Sequence, residues 1–182
     1  MAVVNARIAP FINVEFEVTA EFGHYPSGGE HNGLDISTGR NDNLYSIVDG
    51  VITDKGFQSG GYGNYIVMKD SQTEQGFLYG HMKEPSPLSV GDRVTYGTFV
   101  GIEGTTGLST AEHLHLGSQD MTGKNHWTFG LPISQLLNPA LWLDIPNVLG
   151  TLAIYNGTPL PFKRNSRKWL EAKSFRCNIK LR

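Results

Sequence analysis

The chain has 182 residues, of which 39% are hydrophobic and 18% are charged, and its formal net charge is −2 at pH 7. This length and apolar content favour a single globular domain with a packed core. The one cysteine, Cys177, excludes an intramolecular disulfide and a cysteine-rich zinc finger, and no run of 18 apolar residues is available to span a membrane.

Short apolar runs predict an all-β fold, beginning near the N-terminus. Apolar residues at Val14, Phe16 and Val18 alternate with polar ones, so residues 11–22 predict a half-buried strand. The 22 glycines fall between further short apolar runs, as a β-rich chain with many turns requires.

The middle of the chain continues this pattern. Residues 44–52 contain Asp49-Gly50, a strong hairpin signal. Other predicted strands cover residues 62–69, 76–82, 97–101 and 112–118. The pattern then changes, and residues 132–137 predict one or two helical turns.

The charge is distributed unevenly along the chain. Residues 163–182 hold eight Lys or Arg and one acidic residue, a local net charge of +7, so the rest of the chain carries −9. Such a basic tail binds an anionic partner, is simply solvated, or docks on its own chain. We expect one β-rich domain over residues 1–145 and a basic C-terminal extension of open role over residues 146–182.

Three short segments carry most of the chemical information, namely His31-Asn32-Gly33-Leu34-Asp35, Tyr79-Gly80-His81-Met82 and His113-Leu114-His115. Together they supply a carboxylate and four imidazoles. A catalytic zinc site uses three protein ligands and keeps the fourth position for water, which here leaves two imidazoles for proton transfer. The sequence therefore predicts a metal-dependent hydrolase.

The spacing within two segments supports a shared site. On a strand, His113 and His115 project from the same face, so one imidazole can bind a metal while the other stays free. His31 and Asp35 flank Gly33, which permits backbone conformations that other residues resist. Each pattern alone is weak, because such histidines are commonly structural. Their joint occurrence in one chain favours the metal site.

These motifs, in this order, resemble those of the lysostaphin-type zinc endopeptidases, which cut peptide bonds in bacterial peptidoglycan. The family pattern is His-x-Gly-x-Asp, then Tyr-x-His-[Leu/Met], then His-Leu-His. Connecting segments are similar too, among them Asp49-Gly50-Val51-Ile52 and Gly104-Thr105-Thr106-Gly107. The resemblance covers roughly residues 18–143.

The resemblance implies roles for individual residues. His31, Asp35 and His115 would be the ligands of one Zn²⁺ ion. His81 and His113 would be the unliganded catalytic pair. Tyr25, six residues before His31, would help to stabilise the oxyanion.

The resemblance also implies a compact antiparallel β domain, sandwich-like, with a substrate groove across one sheet. Exposed Tyr62 and the glycines around it would line that groove, or else form a plain hairpin turn. Residues 146–182 match nothing in the catalytic domain of the family.

The implied partner is a peptidoglycan peptide, and no nucleic-acid partner is expected. Residues 1–7 lack the basic and apolar regions of a signal peptide. We therefore expect a phage enzyme, either an endolysin in the host cytoplasm before lysis or a tail-associated virion protein, that acts at the cell wall. Secretion from a bacterium is the competing origin. The basic tail would contact phage structural proteins or anionic wall polymers.

Two other functions compete with this prediction. The first is a non-catalytic protein of the same fold, such as a structural phage tail-tip or wall-binding component, although all five chemical positions are filled here. The second is a D-Ala-D-Ala metallo-carboxypeptidase, but no Glu-x-x-Trp-x-His segment supports it.

Overall fold

A computed structural model of the chain describes residues 3–157. Nearly all its regular structure is β, which confirms the predicted all-β class. The strands are, in chain order, β1 (Val4–Asn5), β2 (Glu15–Ala20), β3 (Gly33–Ser37), β4 (Asn43–Tyr45), β5 (Gly50–Gln58), β6 (Gly63–Asp70), β7 (Gln75–Met82), β8 (Arg93–Val94), β9 (Phe99–Ile102), β10 (Leu114–Asp120) and β11 (Leu152–Ile154). The helical part comprises a 3₁₀ turn, Ile133–Gln135, and one short helix, α1, Pro139–Leu143.

Nine strands form one large sheet in the order β1-β11-β2-β3-β10-β7-β6-β5-β8, and β4 pairs with β9 in a small second sheet. All pairs are antiparallel except β1 with β11, which are parallel. The sheet is therefore mixed but almost entirely antiparallel, in agreement with the antiparallel β domain that the resemblance implied.

The main core lies between the large sheet and the elements that cover one of its faces. Leu44 of β4 and Val100 of β9 are fully buried in the same apolar cluster as Leu114 and Leu116 of β10. α1 adds Trp142, whose ring lies 4.8 Å from that of Phe77 between centroids. The two leucines beside His115 thus point into the core, as the alternation predicted.

The hairpin predicted at Asp49-Gly50 is wrong. β4 pairs with β9 and β5 pairs with β6, so the dipeptide connects two different sheets. Gly50 is needed for close approach, because an added Cβ would overlap the carbonyl oxygen of Lys69. The Asp49 carboxylate meanwhile accepts a hydrogen bond from the backbone N–H of Tyr96 at 2.7 Å.

The region after residue 130 holds one 3₁₀ turn within the predicted helical segment 132–137. α1 then begins where the Asn138 side chain accepts a hydrogen bond from the Ala140 N–H, with Pro139 in the first turn. β11, inside the predicted extension 146–182, pairs with β2 in the large sheet. The domain boundary after residue 145 stays a prediction, and the basic segment 163–182 lies outside the described residues.

Candidate metal centre

Strand register brings the three histidine segments to one place. β10 lies between β3 and β7, so His115 is directly opposite Asp35 on one side and Gly80 on the other. His81 follows Gly80, and His31 lies just before β3. Segments up to 84 residues apart in the chain therefore meet on one sheet.

The three predicted ligand residues form one compact cluster. His31 Nε2 lies 3.2 Å from both His115 Nδ1 and Asp35 Oδ1, and the latter two atoms are 3.0 Å apart. Ligands placed tetrahedrally about 2.0–2.1 Å from a zinc ion are themselves about 3.3 Å apart. The mutual separations therefore fit three ligands of a single ion, and among the described residues this is the group of three that can hold a metal.

The hydrogen-bond partners of the ring nitrogens also support a metal site. His31 Nδ1 donates to the carbonyl oxygen of Glu21 at 2.7 Å, so its Nε2 carries a lone pair toward the cluster in the neutral ring. The Asp35 carboxylate is also an acceptor. His115 Nδ1 supplies at most one proton to both, and its buried Nε2 has no hydrogen-bond partner in the described part of the chain. Three converging acceptor atoms with at most one proton between them favour a bound cation.

The electrostatic environment keeps Asp35 ionised. Burial opposes its charge, but the side chains of His115 and His31, which contact the carboxylate, hold the pKa of the carboxyl group well below its usual range. Burial lowers the pKa of His115, which favours the neutral imidazole that a metal requires. Both protonation states are those of metal ligands.

The two other histidines of the motifs, His81 and His113, lie beside the cluster. His81 Nδ1 lies 2.8 Å from the carbonyl oxygen of Thr106, and His113 Nδ1 lies 2.9 Å from that of Ala111. In both, Nδ1 is therefore the donor and Nε2 the free acceptor. The ring centroids are 4.7 Å apart, and His113 Nε2 is 3.5 Å from Asp35 Oδ2.

His81 has two further special properties. Its φ of +60° lies in the left-handed region, which is uncommon for a residue other than glycine and tends to occur at functional sites. Burial lowers its pKa to about 4, so the imidazole is neutral at neutral pH and able to accept a proton.

Tyr25 also lies at the cluster. Its ring stacks on that of His31 with centroids 4.1 Å apart. Burial raises the pKa of the phenol, and the nearby Asp35 charge adds to this effect, so the hydroxyl stays a hydrogen-bond donor at neutral pH. The structure thus brings together all six residues that the sequence singled out: Tyr25, His31, Asp35, His81, His113 and His115.

Comparison with known proteins gives the family. A sequence model described as Peptidase family M23 matches residues 29–126, more than half of the chain. The chain belongs to peptidase family M23. Within the family it is 36% identical over 97 residues to the glycyl-glycine endopeptidase ALE-1 of Staphylococcus capitis, a match that covers 52% of this chain and 26% of that protein. The chain thus corresponds to about a quarter of the length of this curated relative.

Solved structures of other peptidases share the fold. The catalytic domain of the antimicrobial peptidase lysostaphin from Staphylococcus simulans superposes with a TM-score of 0.60 at 28% identity, covering 71% of this chain and 92% of that domain. A zinc-containing peptidase from Vibrio cholerae gives a TM-score of 0.54 at 26% identity, covering 64% of this chain and 36% of that protein. Both agree with a mainly β M23 fold.

Several parts of this M23 site were not found from the sequence. The acceptors that orient the imidazoles are the backbone carbonyls of Glu21, Thr106 and Ala111, and no residue type marks a carbonyl. Tyr62, predicted only as a groove or turn residue, lies beside the cluster, with its ring centroid 5.2 Å from that of His115. The Asn32 side chain donates to the Tyr62 hydroxyl at 2.7 Å, a contact that its position between two motif residues did not indicate.

Proposed function

We propose that this M23 protein is a zinc-dependent endopeptidase that hydrolyses peptide cross-links of bacterial peptidoglycan. The observation that carries the proposal is the convergence of three acceptor atoms, from His31, Asp35 and His115, beside the imidazoles of His81 and His113. Two imidazole nitrogens and one carboxylate oxygen are a ligand set that zinc uses in catalytic sites. The name of the glycyl-glycine endopeptidase relative supports a peptide-cleaving activity.

Zinc bound by these three residues would polarise the scissile carbonyl and make a water molecule more acidic. His81 or His113 would then accept the proton of the attacking water at Nε2, because the Nδ1 atom of each is held by a backbone carbonyl. The same imidazole would return that proton to the leaving amine nitrogen. The Tyr25 hydroxyl would donate a hydrogen bond to the developing oxyanion.

We propose the bacterial cell wall as the site of action and a phage as the origin. No helix in residues 3–157 has the length and apolar character that crossing a membrane requires. The contact of the basic segment 163–182 with phage structural proteins or anionic wall polymers stays a prediction.

Metal removal and reconstitution test the proposal directly. We expect an excess of chelator to abolish the release of soluble peptides from purified sacculi, and stoichiometric Zn²⁺ to restore it. Mass spectrometry of the released fragments identifies the bond that is cut. Full release in excess chelator would overturn the role of the metal. Stoichiometric zinc binding without peptide release would favour a non-catalytic wall-binding protein, and an exopeptidase product pattern would favour a carboxypeptidase.

A further inference from the structure

An aromatic surface lies next to the metal centre. Phe129 is 42% exposed, and its ring centroid lies 6.0 Å from that of Tyr62 and 5.6 Å from that of Tyr65. Tyr62 in turn packs against the ring of His115. The three aromatic rings, called here the aromatic wall, therefore continue outward from a metal-ligand residue to an exposed phenyl ring.

The segment that carries Phe129 is fixed on both sides. The Asp54 carboxylate accepts a hydrogen bond from the Trp127 N–H at 2.8 Å and lies 3.1 Å from His126 Nδ1. On the other side, Leu137 N–H donates to the carbonyl oxygen of Ser118 at 2.9 Å. The backbone two residues before Phe129 is thus anchored, and the exposed ring rests on those of Tyr62 and Tyr65 before any ligand arrives, which reduces the entropy lost on binding.

We propose that Phe129, supported by Tyr62 and Tyr65, is a specificity-determining residue that binds an apolar side chain of the peptide substrate. This inference rests on the proposed endopeptidase function. The ring centroids place Phe129 no more than about 11 Å from His115. An extended peptide advances about 3.3–3.6 Å per residue, so the bound side chain belongs to the second or third residue from the scissile bond.

The chemistry of the aromatic wall defines the class of side chain. Binding becomes more favourable when an apolar side chain covers the flat face of the aromatic ring, and glycine has no side chain that can do so. Phe129 also lies outside the segment that matches the family, residues 29–126. Phe129 therefore adds a preference that the metal-binding motifs do not set: an aliphatic residue, such as leucine or alanine, two or three positions from the cut.

Two synthetic peptides test the proposal with the full chain loaded with zinc. Both contain the bond that the wild type cuts in sacculi. One peptide carries leucine, and the other carries glycine, at the second and third positions on each side of that bond. We expect the wild type to prefer the leucine peptide, and Phe129→Ala to lower kcat/KM on the order of tenfold for that peptide and much less for the glycine peptide. Phe129→Tyr keeps the ring and should keep the preference.

Phe99 is the matched control, because it is 40% exposed and also lies against a tyrosine ring, that of Tyr45, in the small sheet. Phe99→Ala should leave both peptides unaffected. If Phe129→Ala lowers kcat/KM equally for both peptides, or does not lower it for the leucine peptide, the proposed subsite is wrong. Failure of the wild type to bind zinc or to cut either peptide would instead overturn the proposed function, so the two failures are distinguishable.

Discussion

At the scale of single residues, Gly33 shows how closely the residues of the proposed metal site are packed. A Cβ at this position would overlap the imidazole of His115 and approach the carbonyl oxygen of Leu116 to 2.9 Å. The motif therefore requires glycine here, because β3 and β10 are adjacent strands and the His115 imidazole lies where a side chain at position 33 would be. A turn conformation is not the reason, since Gly33 lies within a strand and opposite Gly117.

Gly33→Ala should therefore weaken metal binding. We expect at least a tenfold rise in the zinc dissociation constant, because His115 must move to make room for the methyl group, and supporting groups of metal ligands typically affect affinity by about 10–100-fold. Zinc titration with a competing chelator measures this. Gly60→Ala is the matched control, since an added Cβ there has no neighbour within 4 Å. Equal zinc affinity of the two variants would contradict the prediction.

Substitutions of the two histidines of the third motif should have different effects on zinc content and activity. His115→Ala removes a ligand, so we expect loss of bound zinc together with loss of activity. His113→Ala leaves all three ligands in place, so zinc content should stay at about one ion per chain while kcat falls by about 10²–10⁴-fold. Metal analysis of the purified variants, combined with sacculus assays, distinguishes the cases. The same metal content in both variants would mean that ligand and base are assigned wrongly.

At the scale of elements, the loop between β9 and β10 joins the β6–β7 pair through one side chain. The Thr106 hydroxyl accepts a hydrogen bond from the Asn64 N–H at 2.9 Å and donates to the Met82 carbonyl at 2.8 Å. The carbonyl of Thr106 also orients His81. A loop residue thus couples strand pairing to the position of an imidazole.

Thr106→Val should reveal this coupling. The substitution keeps the shape of the side chain and removes both hydroxyl hydrogen bonds, so we expect the free energy of unfolding to fall by about 1–3 kcal/mol and kcat to fall with it. Thr106→Ser keeps the hydroxyl and should lose less than about 1 kcal/mol. Urea unfolding and a peptide assay measure the two effects. If the valine variant matches the serine variant in both, the hydroxyl does not carry the coupling.

The elements also show what a sequence predicts and what it does not. The alternation around Phe16 and Val18 was sufficient for a strand, because side-chain alternation is a local property, although β2 begins at Glu15, one residue after Val14. The His-x-His spacing correctly gave two imidazoles on one side. Asp49-Gly50 led to a wrong prediction, because the same dipeptide occurs in hairpin turns and where two strands approach closely. Only the partner strand decides between the two cases.

The assembled site depended on long-range pairing. That β10 lies between β3 and β7 follows from no local pattern, so the meeting of His31, His81 and His115 was inferred from the joint occurrence of the motifs and from resemblance to a family, and not from strand pairing. Nothing in the sequence indicated the left-handed backbone conformation of His81, because a positive φ is expected mainly at glycine. The aromatic wall was equally hidden, because Phe129 approaches Tyr62 from a segment more than 60 residues away in the chain.

At the scale of the whole molecule, β11 completes the large sheet beyond the predicted boundary at residue 145. Ala153 and Tyr155 are buried, and the Ala6 N–H donates to the carbonyl oxygen of Ile154 at 2.9 Å. β11 thus lies between β1 and β2 and connects the N-terminal strand to the rest of the sheet.

Two shortened chains measure the contribution of this strand. A chain ending at residue 145 should unfold with a free energy at least about 3 kcal/mol lower than one ending at residue 157, because it loses β11 and the apolar area that Ala153 and Tyr155 bury. Thermal unfolding followed by circular dichroism makes the comparison. Identical melting temperatures would support the domain boundary after residue 145.

Three imidazoles of the centre, those of His31, His81 and His113, are oriented by main-chain oxygens. Every amino acid supplies such an oxygen, so exchanging the residue that contributes it does not delete the acceptor. The tautomers are consequently protected against most mutations of the surrounding loops and are exposed only to changes that displace the backbone. Loops bordering the centre are therefore free to diversify in composition while the direction of proton flow stays the same.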